Sequence, residues 1–580
     1  GADPVAGAEA GERIERYYYM MRRRTWLLLL LALGLRLLTL GWDAGVASSS
    51  LHPDERQVGF TIERLDGWFD DPDFFAYGSL HFQAIRAASA ITPFGEGLRS
   101  VVLSGRVLSL AASMLALILG WLVARHAWGS RTADLFLAIA AWVPLDLQQS
   151  HYATVEAHHT AWIMLALAAC YWLAVTRRST AAAAAGAAVG ASLAVKVASL
   201  ALGLPLGLAL LVASRGRGAL HFVRLASLAS AVGVTVFWIC QPWAFAGGRP
   251  PLTLMVSAVA AAGLFHLASQ RSGSARKAML VVAVVAAVVA LSQGMAIKGV
   301  GGDSAAGRLI ESTLVGAGTN PDYLRGVGEQ VRMVLGDADL PYVRVFVNTL
   351  PVLYPLRELA LWGWGPFLLL AAIAAAAAGC RAFGRRWWRF LSGRWDRSSI
   401  LLLILLAWLI PMALRLSTLY VKYLRYWEPL VVPAALVAAW WLARLPRRLR
   451  CRMLPTVVAG TMVWGLAYLW AFADPHSHRT ATRWLTPMLQ SGQVVAFENW
   501  DETIGLHLDD GPLEIFSLPS YDLPDNEEKV QRWCRELDRA DWVVLTSNRV
   551  VRTILANPQR FERTRRLYQL LLSGEAGFEV

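Results

Sequence analysis

The chain has 580 residues, 56% of them hydrophobic and 25 of them Trp, with a mean hydropathy of +0.42. That is too apolar for a soluble protein of this length, so the composition reads as an α-helical polytopic membrane protein. The formal charge of +13, from 55 basic and 42 acidic residues, does not call for nucleic acid, because basic loops in a membrane protein set its orientation.

Residues 1–24 are Ala/Gly-rich, then Arg/Tyr-rich, and read as a cytoplasmic N-terminal tail that begins disordered. The apolar run after Arg22-Arg23-Arg24 lacks a small-residue cleavage site, so it is taken as a retained first span rather than a leader. Runs of about 18–25 apolar residues suffice to cross a bilayer. They fall near 25–41, 98–124, 132–149, 158–176, 180–196, 198–213, 220–240, 252–269, 277–297, 358–379, 399–416, 427–444 and 453–472, which predicts about 13 transmembrane helices within 25–474. The pair at 180–213 is short and divided only around Lys196.

Basic residues follow alternate spans: Arg125 with Arg131, Arg177-Arg178, Arg215 with Arg217, Arg271 with Arg276, Arg381 to Arg389, and Arg444 to Arg452. The positive-inside rule puts these loops and the N-terminus in the cytoplasm. The large first outer loop 42–97, the short loop 148–158, Lys196, the outer loop 298–357, residues 416–425 and the C-terminal region then lie outside. Within 42–97, the spacing of Val58, Ile62 and Leu65, and of Leu80, Ile85 and Ala88, predicts amphipathic helices lying on the membrane. From 475 to 580 the charge rises and short β-like runs appear at Val494–Phe497 and Trp542–Leu545 with a helical pattern over Glu527–Leu537, which predicts a small extracytoplasmic α/β domain.

Chemistry concentrates on the outer side. In Leu51-His52-Pro53-Asp54-Glu55-Arg56, Pro53 pushes His52 into an extended conformation and can open a helix. Asp54 and Glu55 then fall in a first turn, where the helix dipole favours ionised carboxylates. Such a group suits a general base, a metal ligand or a cation site; the plain alternative is a solvated helix start. A second cluster holds His151, Glu156, His158 and His159 at one loop. Its spacing fits no zinc pattern. Only five of the 55 basic residues are lysines, so Lys196 and Lys422 stand out. Lys196 reads either as a site cation or as a side chain snorkelling to headgroups. Lys422 and Arg425, three apart before the span at 427, suit a phosphate clamp, Arg as a fork and Lys as a point charge. The five cysteines are scattered and point to neither a disulfide framework nor zinc. Asp70-Asp71-Pro72-Asp73 is acidic, but oxygen-ligand sites need convergence; no metal and no cofactor are expected.

Carboxylates facing cations at a membrane rim suit transfer of a sugar carried on a lipid phosphate: the carboxylate takes the acceptor's proton and the cations steady the leaving phosphate. The chain resembles the membrane glycosyltransferases of the GT-C superfamily, in particular the bacterial phospholipid-carrier-dependent enzymes related to protein O-mannosyltransferases and aminoarabinose transferases. The resemblance rests on an ordered set: His52-Pro53-Asp54-Glu55, Phe75-Ala76-Tyr77-Gly78-Ser79-Leu80, Ser150-His151-Tyr152-Ala153-Thr154, Arg425-Tyr426, Glu498-Asn499-Trp500-Asp501-Glu502 and Val544-Leu545-Thr546-Ser547-Asn548-Arg549. It implies an inverting transfer from a polyprenyl-phosphate-linked sugar to a glycolipid, polymer or protein acceptor, in the bacterial inner membrane. It also implies Asp54 or Glu55 as base, Lys196, Lys422, Arg425 and Tyr426 at the donor phosphate, and His52, His81, His151 and Glu156 as acceptor-side or second-acid candidates. Glu156 stands where relatives commonly carry Asp, and His81 where Pro is usual. A transporter or flippase of a lipid-linked or anionic substrate is the alternative; it predicts ionisable groups at mid-membrane, whereas most charges here sit at span ends.

Overall fold

A computed structural model describes residues 23–42, 52–68, 70–245, 319–392, 395–501, 503–504, 506 and 512–579. The expected spans 252–269 and 277–297 and much of the loop 298–357 lie outside the described residues. Among the described residues, eight helices are long and apolar enough to cross a membrane, and the chain is an integral membrane protein.

A first helix, α1, occupies 23–40. Two short helices follow, α2 (Pro53–Glu63) and α3 (Ser79–Ile91), then the long α4 (Leu98–Trp128). The expectation that the first loop lies on lipid is corrected here. Val58, Ile62, Leu65, Phe82 and Ile85 form one buried cluster with Val101 of α4, so the apolar faces of α2 and α3 are spent on the bundle. The single span expected at 132–149 is two pieces, α5 (Ser130–Ala140) and α6 (Pro144–Gln149). Pro144 forces Val143 into an extended conformation (φ −69°, ψ 118°) and opens the second piece.

The next helices are α7 (Val155–Thr176), α8 (Ser179–Leu193), α9 (Gly203–Ser214, entered through a 3₁₀ stretch Val197–Leu202) and α10 (Ala219–Cys240). The Ala/Gly face of α8 lets backbones touch: a Cβ at Gly186 or Gly190 would strike the carbonyls of Ala229 or Gly233 on α10. After α11 (Pro321–Leu335), α12 (Pro341–Arg344) and α13 (Leu353–Glu358), the bundle resumes with α14 (Gly365–Ser392), α15 (Arg397–Thr418), α16 (Glu428–Arg444) and α17 (Arg447–Trp470). Helix α16 is central. Residues from Leu430 to Ala439 are buried without a polar face, as expected of a helix surrounded by others.

The Arg-rich helix ends gather at one end of the bundle. Arg217 donates to the carbonyl of Arg177 at 3.2 Å, and Arg444 and Trp128 both reach Ser398. The starts of α2, α7 and α16 meet at the other end through the contacts described below.

Past α18 (Ser477–Leu485), the C-terminal region is a three-stranded parallel sheet in the order β2-β1-β3, made of β1 (Val494–Glu498), β2 (Glu514–Leu518) and β3 (Trp542–Val544). Helices α19 (Glu527–Arg539), α20 (Arg549–Ala556) and α21 (Glu562–Leu572) complete it. Trp533, Tyr568, Phe561 and Ile554 form its core with Ala496 and Leu518. Glu498 ends β1 inside this core, with Tyr568 donating to it. Burial pushes its carboxyl up to about 7; Tyr568 offsets part of that and Asp501 adds to it. A raised carboxyl stabilises the fold fully below its unfolded value of 4.5 and loses that contribution as pH climbs through about 7. The opening free energy of β1, read by amide exchange, is therefore expected to fall by about 3 kcal/mol across that window, and Glu498→Gln is expected to flatten the profile. An equally sloped profile in the variant would assign the effect to another group.

Candidate active site

His52 is extended (φ −96°, ψ 119°) and caps α2, its Nδ1 accepting from the Asp54 amide at 3.2 Å, with Pro53 opening the helix. Neighbours on a helix point about 100° apart, and this divides the two acids. Glu55 turns inward. Arg106 of α4 grips it with two bonds, Nε to Oε1 and Nη2 to Oε2, each 2.9 Å, and the Ala153 amide donates to Oε1 at 2.7 Å. Burial pushes the Glu55 carboxyl up, but Arg106, together with His52 and the Ala153 amide, holds the group below its usual range. Arg106 Nη1 also donates to the carbonyl of Trp42 at 2.7 Å. Glu55 is thus a bolt joining α2, α4, the end of α1 and the loop before α7.

Asp54 turns the other way and pairs with Arg425 Nη1. Arg425 sits on a 3₁₀ turn, Leu424–Trp427, that leads into α16. Its Nε lies 3.8 Å from Glu156 Oε1, and Lys196 Nζ donates to the same oxygen at 3.1 Å. The four form an alternating chain, Asp54–Arg425–Glu156–Lys196. Glu156, 2% exposed, is its floor, while Asp54 (22%), Arg425 (27%) and Lys196 (19%) each keep an open side. Tyr rings line the cations: Arg425 lies 4.9 Å over Tyr423, and Lys196 lies 5.2 Å over Tyr426 and 5.9 Å over Tyr77.

Local sequence places these groups. Glu156 is in the first turn of α7. Lys196 sits in the turn after α8, which α3 pins: Gly78 N–H donates to Val195 O at 2.9 Å and Leu80 N–H to Ala194 O at 3.3 Å. A Cβ at Gly78 would collide with the Ala194 carbonyl, so this position needs Gly for the approach.

Several candidates stand outside the chain of charges. Lys422 donates to the carbonyl of Tyr420 at 2.9 Å. Residues 419–423 are not helical, so the shared helix face expected of Lys422 and Arg425 is corrected. His81 lies behind Tyr77, ring centroids 6.0 Å apart, with its Nδ1 2.9 Å from Nδ1 of His158. His151 packs on Tyr152 and Phe472 and bonds the Leu147 carbonyl. Burial and Arg106 push its imidazole down to about 3, so it is neutral at ordinary pH. Among the described residues no group of three His, Cys, Asp or Glu converges as a metal-ligand set.

The reading that few ionisable residues lie inside spans is also corrected. Arg36, buried in α1, pairs with Asp146 of α6, while Ser113 of α4 receives from Arg36 at 2.8 Å and donates to Asp146 at 3.0 Å. Glu428, buried at the start of α16, faces Asp146. The signal was available: Arg36, Arg106 and Asp146 each interrupt an apolar run, and intramembrane charges are kept for a partner. Arg36 closes on Asp146 and Ser113, and Arg106 on Glu55.

No family model matches the chain, and no curated protein matches it either. Among solved structures, the apo oligosaccharyltransferase of Archaeoglobus fulgidus is similar with a TM-score of 0.51 at 16% identity, over 83% of this chain and 63% of that one. The chain therefore spans under two thirds of that protein's length. ArnT from Cupriavidus metallidurans matches in its apo state (TM-score 0.40, 14% identity, 89% of this chain and 88% of that one) and bound to undecaprenyl phosphate (0.42, 14%, 89% of each). The chain shares its fold with the oligosaccharyltransferase.

Proposed function

We propose that the chain is an inverting glycosyltransferase that moves a sugar from a polyprenyl-phosphate-linked donor to an acceptor hydroxyl, with Asp54 as the base. The carrying observation is the half-open run Asp54–Arg425–Glu156–Lys196. Arg425 and Lys196 present positive charge where a leaving lipid phosphate gathers negative charge. Glu156 balances the two cations. Asp54 is placed to accept the acceptor's proton as the hydroxyl attacks the anomeric carbon from the face opposite the phosphate. The fold shared with the oligosaccharyltransferase supports this reading. The Arg-rich end of the bundle is the cytoplasmic one by the positive-inside rule, so the site and the C-terminal domain face outward, in the bacterial inner membrane. The acceptor is a glycolipid, a polymer or a protein.

Arg425→Ala and Lys196→Ala test the reading. Losing one charge-assisted contact to phosphate costs about 1.5–3 kcal/mol, so each is expected to lower kcat/KM for a polyprenyl-phosphate sugar by about 10- to 100-fold. Lys422→Ala is expected to change it by less than about three-fold; equal losses in all three would place the phosphate elsewhere. The two carboxylates are already matched by two cations, which leaves no excess negative charge to hold a divalent ion. Transfer is accordingly expected to survive EDTA, and loss on chelation with rescue by Mg²⁺ or Mn²⁺ would overturn that.

A further inference from the structure

Arg425 has a second set of supports, which leads away from the membrane. The ring beneath it belongs to Tyr423, and Tyr423 Oη donates to the carbonyl of Tyr342 at 2.7 Å. Tyr342 belongs to an arm, residues 337–346, that carries α12. The arm and the segment before Arg425 share a small core: Val343 and Val421 are fully buried, and Phe346 meets Tyr423 edge-on at 5.2 Å. Val421 N–H donates to Val334 O at 3.2 Å, at the root of the arm.

The C-terminal domain grips the other side of the arm. Asp339 receives Arg560 from the turn before α21 and Tyr521 Oη at 3.2 Å, and pairs with Arg344 of the arm at 3.4 Å. Thr553 of α20, fully buried, donates to Pro341 O at 3.2 Å. An unbroken set of contacts therefore runs from the domain through the arm and the Tyr423 ring to Arg425 and Asp54.

We propose that the C-terminal domain holds Arg425 in register through the 337–346 arm, with Tyr423 as the positioning residue that joins arm to site. The arm's consequence for catalysis rests on the transferase reading; its mechanical part does not. Without the grip on Asp339, the arm loosens, the Tyr423–Tyr342 bond opens more often, and the guanidinium loses the ring that fixes its plane.

Hydrogen–deuterium exchange on the full chain tests this, because local openings report how each segment is held. Asp339→Ala, at a half-exposed position, and Thr553→Val as a second variant are each expected to raise exchange at least ten-fold in 337–346 and in 419–427. Helix 527–539 serves as the control and is expected to stay unchanged. In a Tyr423→Phe background, which keeps the ring and removes the hydroxyl, Asp339→Ala is expected to add little to 419–427, since coupled sites are not additive. A rise confined to 337–346, or an undiminished rise in the Phe background, would overturn the proposal. In turnover, Tyr423→Phe is expected to raise the donor KM several-fold with kcat within about two-fold, a split that general loosening of the fold does not produce. Absence of transfer by the wild-type protein would defeat the transferase reading while leaving the exchange result decisive for the coupling.

Discussion

Asp54→Asn is expected to lower glycosyl transfer by about 10³-fold while the protein folds and binds its donor normally. A positioned general base contributes about 10²–10⁴-fold, and an amide of the same size cannot take the acceptor's proton. Folding is expected to survive because Asp54 keeps an open side and Arg425 retains Glu156 beside it. The measurement is transfer from a polyprenyl-phosphate sugar alongside thermal unfolding. Near-wild-type turnover in a folded Asn variant would remove Asp54 as base.

Its neighbour is expected to behave in the opposite way. Glu55→Ala leaves the Arg106 guanidinium buried without its two-point partner. Breaking a buried ion pair from one side costs about 3–5 kcal/mol, a large share of a marginal total. The variant is expected to be recovered in low yield with a sharply lowered Tm. Glu55→Gln keeps the shape and one acceptor oxygen for the Ala153 amide, so it is expected to lose less stability and to keep most of its turnover per folded molecule. Thermal unfolding of both variants, with activity normalised to folded protein, separates the cases. A stable, inactive Glu55→Gln would make Glu55 the chemical residue instead.

The acidic pair shows what the sequence made legible and where it stopped. His52-Pro53 announced a capped helix start, because cap and Pro chemistry are local. Which of Asp54 and Glu55 faces the cavity is not local; it depends on Arg106, 51 residues away, entering from α4. Glu156, Lys196 and Arg425 were readable as ionisable groups at span ends, and the structure brings them together. Lys422 was credited with the same role because helical spacing was carried back past Leu424, where the chain is still extended. Strands β1 and β3 were visible as β-branched runs, whereas β2 was not: Glu514-Ile515-Phe516-Ser517-Leu518 is an edge strand with largely exposed side chains. The amphipathic faces of α2 and α3 were read correctly as apolar but assigned to lipid, since periodicity shows that a face is buried and not against what.

The most direct test of the account is a structure of the full chain with a polyprenyl phosphate bound. The phosphate is expected to lie between Arg425 and Lys196, within hydrogen-bond reach of both, with Asp54 released from its pairing and facing the open side. A phosphate seated among the arginines at the opposite end of the bundle, or beside Lys422 alone, would contradict it.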